Sequence, residues 1–234
     1  LAGTAITLGD TGTDVFNAGS LTFTSAGAVA ISEDSASELS GVSTAGSLTL
    51  TSAAAISDTT TASLAVTGNA SFTANNGGSI TLGEQTTDSL SLGSLTFNTT
   101  GAVSITEDSA TGVAGTSLTG TSTAGSLVLT STGAITDVAN GLTVAGNASF
   151  TGTSITINDV GATEAFDAGS LTFTSAGAVG ITEDSATDLA GASTAASLTL
   201  TSIGAITDQA TASLTVAGNA ALSGASITIG DQAG

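Results

Sequence analysis

The chain of 234 residues carries 19 acidic side chains and no Lys, Arg or His, for a formal net charge of -19. It has no Cys, Met, Trp, Tyr or Pro, while 31 residues are Gly. These absences remove imidazole bases, thiolate nucleophiles, soft metal ligands and Schiff-base lysines, and with no cation to neutralise phosphate they exclude nucleic acid as a partner. Hydrophobic residues make up 40% of the chain and recur in order, which argues for a buried core rather than disorder. Ser and Thr interrupt every apolar run, so no segment reads as inserting into a membrane as a helix. The aromatic girdles of a membrane barrel would need Tyr and Trp.

In chain order, the first strand-like element is Ile6, Thr7, Leu8 before Gly9, and it returns at Ile80, Ile155 and Ile227, at intervals of 74, 75 and 72 residues. Between these markers the text repeats as well. Gly19 to Phe23 is copied at Gly93 to Phe97 and Gly169 to Phe173, and Gly68, Asn69, Ala70 at Gly146 and Gly218. Strand-like starts at Ile6, Leu21, Leu48, Leu64 and Ile80 are separated by 15, 27, 16 and 16 residues. Those at Ile155, Leu171, Leu198, Leu214 and Ile227 are separated by 16, 27, 16 and 13. This spacing predicts an all-β parallel β-helix, a β-solenoid of stacked coils with about four coils per unit of 72–75 residues. Twelve to thirteen coils at ~4.8 Å would give a rod of roughly 60 Å. The units run over 1–74, 75–149 and 150–221, with a fourth beginning at 222–234, in one array without an internal domain boundary. Because Leu222 to Asp231 echoes Leu1 to Asp10, the expectation is an excerpt of a longer repeat protein or a polymerising subunit.

Within each coil the period is two, as in Leu48, Thr49, Leu50, Thr51, the mark of a half-buried strand. Leu21, Phe23, Leu48, Leu50, Leu64, Val66, Ile80 and Leu82 are therefore predicted inside, with Thr22, Thr49 and Thr81 outside. Phe23, Phe97 and Phe173 hold equivalent places, as do Phe72, Phe150 and Leu222, and are expected as interior rungs. Asn69, Asn147 and Asn219 follow Gly and are expected at bends that tolerate positive φ. The Thr-x-Thr pairs at Thr22/Thr24, Thr49/Thr51, Thr172/Thr174 and Thr199/Thr201 read as outward threonines on a β-face rather than as an ice-binding array, since other coils lack them.

The acidic residues fall at fixed repeat positions. Asp10, Glu84, Asp159 and Asp231 share one; the pairs Glu33 and Asp34, Glu107 and Asp108, Glu183 and Asp184 share another; Asp58, Asp137 and Asp208 share a third. Hard oxygen ligands in Gly-rich turns suit Ca²⁺, and the alternative is a solvated acidic edge that opposes lateral aggregation. A glycosidase pair is not the reading, because the pairs recur in every unit whereas an active site is single. Asn69, Asn98 and Asn147 each open an N-glycosylation acceptor triplet.

The text from Ser197 to Ser202 followed by Gly204 to Asp208 resembles the repeats of filamentous haemagglutinin-like bacterial surface proteins. That resemblance implies a right-handed parallel β-helix shaft in a giant exported adhesin or extracellular fibre. The function expected is a non-catalytic structural shaft at the cell surface, partnered by itself or by other surface components. A self-assembling filament subunit and a calcium-loaded polysaccharide-binding module are the alternatives. The chain opens on Leu1, Ala2, Gly3 without a basic region, so an export signal is expected outside this segment.

Overall fold

The structure, a computed structural model, describes residues 1–9, 13–108, 115–138, 141–157 and 165–230. Among them lie 27 strands of one continuous sheet, every pairing parallel, and no helix. The strands stack as a β-solenoid with turns of about 22 residues; ten stacking steps lead from the strand of Ile6 to that of Ala220, so that spacings of ~4.8 Å give a stack near ~48 Å. One turn consists of Ala28–Glu33, Ser37–Leu39 and Val42–Ala45; the next begins with Ser47–Ser52 and Ile56–Asp58 and closes with the first part of Ser63–Ala74. Each turn leaves both edges of its strands open, and only stacking satisfies the backbone groups on them.

The predicted inward set holds. Phe23, Leu50, Ile80 and Leu82 are fully buried and Leu21, Leu48, Leu64 and Val66 nearly so, while Thr22 and Thr49 are exposed and Thr81 half-buried. The outward residues also align. Thr106, Thr130, Thr151, Thr174, Thr194 and Thr215 form one row across six turns.

Turn length and stacking partners differ from the expectation. Register runs Ile6 to Val29, Leu48, Ala70, Leu95, Leu118 and Asp137, with steps of 23, 19, 22, 25, 23 and 19. A seventh step joins Ile135 to Ile155. Two units thus make seven turns, or three and a half turns per unit instead of four. The strand starts visible in the sequence mark successive sides of the solenoid rather than whole turns. Ile6 and Ile155 consequently lie on the same side of the solenoid, two residues apart in register. Ile80 stands in another column, that of Ile56, which runs on through Val103, Leu127, Ala148, Leu171 and Leu189.

Half-turn offsets decide what the phenylalanines touch. Phe23, Phe97 and Phe173 are all interior, but these equivalent positions do not stack on one another: Phe97 pairs with Phe72 and Phe173 with Phe150. Phe166 meets Phe150 edge-on, with ring centroids 6.1 Å apart. Each buried ring contributes on the order of 1.5–3 kcal/mol. Leu222 is only partly buried.

The asparagines also depart from expectation. The one non-glycine residue with positive φ among the described residues is Asn76, not Asn69, Asn147 or Asn219. Asn69 and Asn147 lie inside the long strands Ser63–Ala74 and Leu142–Gly152, beside shifts in register. Positive φ is taken instead by glycines that follow the marker strands, Gly9, Gly83 and Gly230 at 62°, 71° and 70°. At Gly83 a Cβ would also lie 2.0 Å from the Thr106 carbonyl oxygen.

Candidate functional site

The Glu-Asp pairs occupy corners where a long strand ends, and the two members do different things. Glu33, Glu107 and Glu183 are 2%, 1% and 1% exposed; they are interior groups, not a solvated edge. Each accepts an N–H from the residue fifteen positions before it: Ala18 to Glu33 Oε1 at 2.7 Å, Leu92 to Glu107 Oε1 at 3.0 Å, and Ala168 to Glu183 Oε1 at 3.1 Å. The second carboxylate oxygen takes a buried hydroxyl, from Ser37 at 2.6 Å, from Thr116 and from Thr187.

The adjacent aspartates complete the clamp. Asp34, Asp108 and Asp184 donate their N–H groups to the carbonyls of Phe16, Leu90 and Phe166. Asp34 and Asp108 also accept the N–H of that same residue, at 2.9 and 2.7 Å. The pair therefore continues the β-ladder with side-chain oxygens where the backbone turns away. Burial pushes the Glu183 carboxyl above the ordinary glutamate range. The hydrogen bonds from Thr187, Ala168 and Ser185 oppose that shift, and the Asp167 charge adds to it.

Asp58 and Asp208 stand at strand ends and Asp137 one residue before one, aligned with Leu39, Leu189 and Leu118 of the preceding turn. Asp58 Oδ2 accepts the N–H of Gly83, and Asp208 Oδ2 that of Gly230, each at 3.0 Å. Burial raises the Asp58 pKa; the Gly83 N–H lowers it, and the charges of Asp88 and Glu84 raise it further. Glu84 itself is exposed. Asp10, Asp159 and Asp231 lie outside the described residues.

Asp88 was missed by the sequence reading. It is 5% exposed, its Oδ2 accepts the Gln85 N–H at 3.0 Å, and its Oδ1 is enclosed without a hydrogen-bond donor. A signal was present: measured back from the repeated Gly19, Gly93 and Gly169, Asp14, Asp88 and Glu164 occupy one acidic position. One extra residue between Asp159 and Glu164 in the third unit hides the match when it is counted from the front. Among the described residues, no three acidic side chains converge as a metal-ion cluster.

The acceptor asparagines are engaged between turns. Asn69 Oδ1 accepts hydroxyls from Ser94, Thr96 and Thr119, and Asn147 Oδ1 those of Ser170 and Thr172. Asn98 accepts the Thr123 hydroxyl and donates to the Thr121 carbonyl.

Compared with known proteins, residues 26–91 and 176–233, together just over half of the chain, match a family model described as repeats of unknown function (DUF5649). Ala26 and Ala176, where the two matches open, occupy the same position two units apart. Neither the curated proteins nor the solved structures contain a match to the chain.

Proposed function

The chain belongs to the DUF5649 family of repeats of unknown function, and from that premise we propose that it is a structural shaft: a stiff, non-catalytic segment of an extracellular or cell-surface fibre or adhesin. The observation that carries the reading is the parallel ladder that joins all the described strands in one sheet, in which interior turns are paired above and below. Such an array opens mainly at its ends, which suits a part that must hold distance and resist shear. The buried Phe, Leu and Ile column and the carboxylate clamps support the same reading by closing the corners. The sequence has no Lys or Arg and so offers trypsin-like enzymes no site, a property of value outside the cell. The repeated text also resembles adhesin shafts.

The test pairs proteolysis with localisation. Proteinase K should trim the folded chain slowly from its termini, and antibody should label intact cells of the source organism. Rapid cutting through the middle units would refute the shaft, and labelling only after lysis would refute the surface placement.

A further inference from the structure

Two loops of successive turns close on one another around Asp58 and Asp88. The Gly83 N–H donates to Asp58, the Thr87 hydroxyl to the Thr60 carbonyl, and the Ser89 N–H to the Ala62 carbonyl, while the Ser63 and Ser89 hydroxyls meet at 2.9 Å. Within this closure Asp88 is buried and its Oδ1 has no donor. Asp58 lies within the field of the Asp88 charge. A buried carboxylate, Asp88, thus stands in the loop that closes over the partly buried Asp58, and the chain has no Lys, Arg or His anywhere to neutralise them. A buried carboxylate oxygen without a donor is costly, and here a counter-charge can only come from solution.

We propose that the Asp58–Asp88 junction is a Ca²⁺ site, with Asp88 Oδ1 and the Asp58 carboxylate as its acidic ligands. Two carboxylates completed by water form an all-oxygen set. Ca²⁺ accepts six to eight such ligands in flexible geometry, whereas Mg²⁺ demands a tight octahedron. Glu84, exposed on the same loop, adds charge at the rim. The arrangement belongs to the boundary between units, since Asp58 comes from one unit and Asp88 from the next. Asp208, the Asp58 equivalent two units on, likewise has an enclosed Oδ1 without a donor among the described residues.

The experiment titrates Ca²⁺ into the chelator-stripped chain by calorimetry and follows thermal unfolding with and without millimolar Ca²⁺. It compares wild type, Asp88→Asn, Asp58→Asn and Asp14→Asn, Asp14 being the exposed counterpart of Asp88. Wild type and Asp14→Asn should bind saturably and gain roughly 5 °C or more in Tm. Asp88→Asn and Asp58→Asn should lose that binding event and the shift. In chelator, Asp88→Asn should melt at or above wild type, because it removes an uncompensated buried charge. Absence of saturable heat in wild type overturns the proposal. So does an equal Ca²⁺ response in either site variant, or the same Tm gain from Mg²⁺ at equal ionic strength. Should Asp88→Asn not fold, Asp58→Asn decides by the same criteria.

Discussion

Replacing Glu183 separates the clamp from mere solvation. In Glu183→Ala the Ala168 N–H and the Thr187 hydroxyl lose their acceptors, and both residues are buried, at 4% and 0% exposure. An orphaned buried donor costs about 1–3 kcal/mol, so the pair predicts a loss of roughly 2–6 kcal/mol. Glu183→Gln keeps an oxygen for the Ala168 N–H, and its amide can donate to the Thr187 hydroxyl, so it should lose clearly less than Glu183→Ala at neutral pH. The pH dependence follows from the raised pKa of Glu183, caused first by burial. A carboxyl whose folded pKa lies above its unfolded value contributes stability that is fully present below the unfolded pKa and lost as pH rises through the folded one. The stability of wild type relative to Glu183→Gln should therefore fall as pH rises, while titration of the other carboxylates cancels between the two. Urea melts of the three proteins from about pH 3 to pH 8 span that titration, with amide exchange at Ala168 as a local readout. Equal melts for the Ala and Gln variants, or a wild-type to Gln difference flat across that range, would refute the clamp.

Core register is tested by Phe97→Ala, which should cost about 3–5 kcal/mol because the ring is fully buried against Phe72. Thr49→Ala, on the exposed face, should stay within about 0.5 kcal/mol; thermal melts that rank the two in reverse would mean the strand faces are inverted. Gly83→Ala should destabilise by more than about 1 kcal/mol, since φ is 71° and the new Cβ would lie 2.0 Å from the Thr106 oxygen. Gly19→Ala, with nothing within 4 Å of its Cβ, is the matched control in the same denaturation assay, and equal losses for the two would remove the steric argument.

The fold class and the interior faces were legible in the sequence because both rest on local rules. Alternation such as Leu48, Thr49, Leu50 assigns a side to each residue without reference to any other strand, and the burial of Leu48 and Leu50 follows it. Acidic repeat positions were legible for the same reason, being a matter of spacing alone. Where a turn closes is not local. The sequence marks each strand start, yet whether Ile80 returns above Ile6 or above another strand of the turn depends on how many residues each corner consumes, and register steps range from 19 to 25 along one column. Only tertiary closure decided that two units make seven turns, and so that Phe97 rests on Phe72 instead of Phe23. Burial of the acids was equally out of reach. Glu33 and Asp34 are neighbours of like charge, and the sequence carries no sign that the first turns inward to accept Ala18 N–H while the second caps Phe16. Asp58 and Gly83 stand 25 residues apart in the sequence and meet only because the chain makes one turn between them, which brings the second loop down over the first.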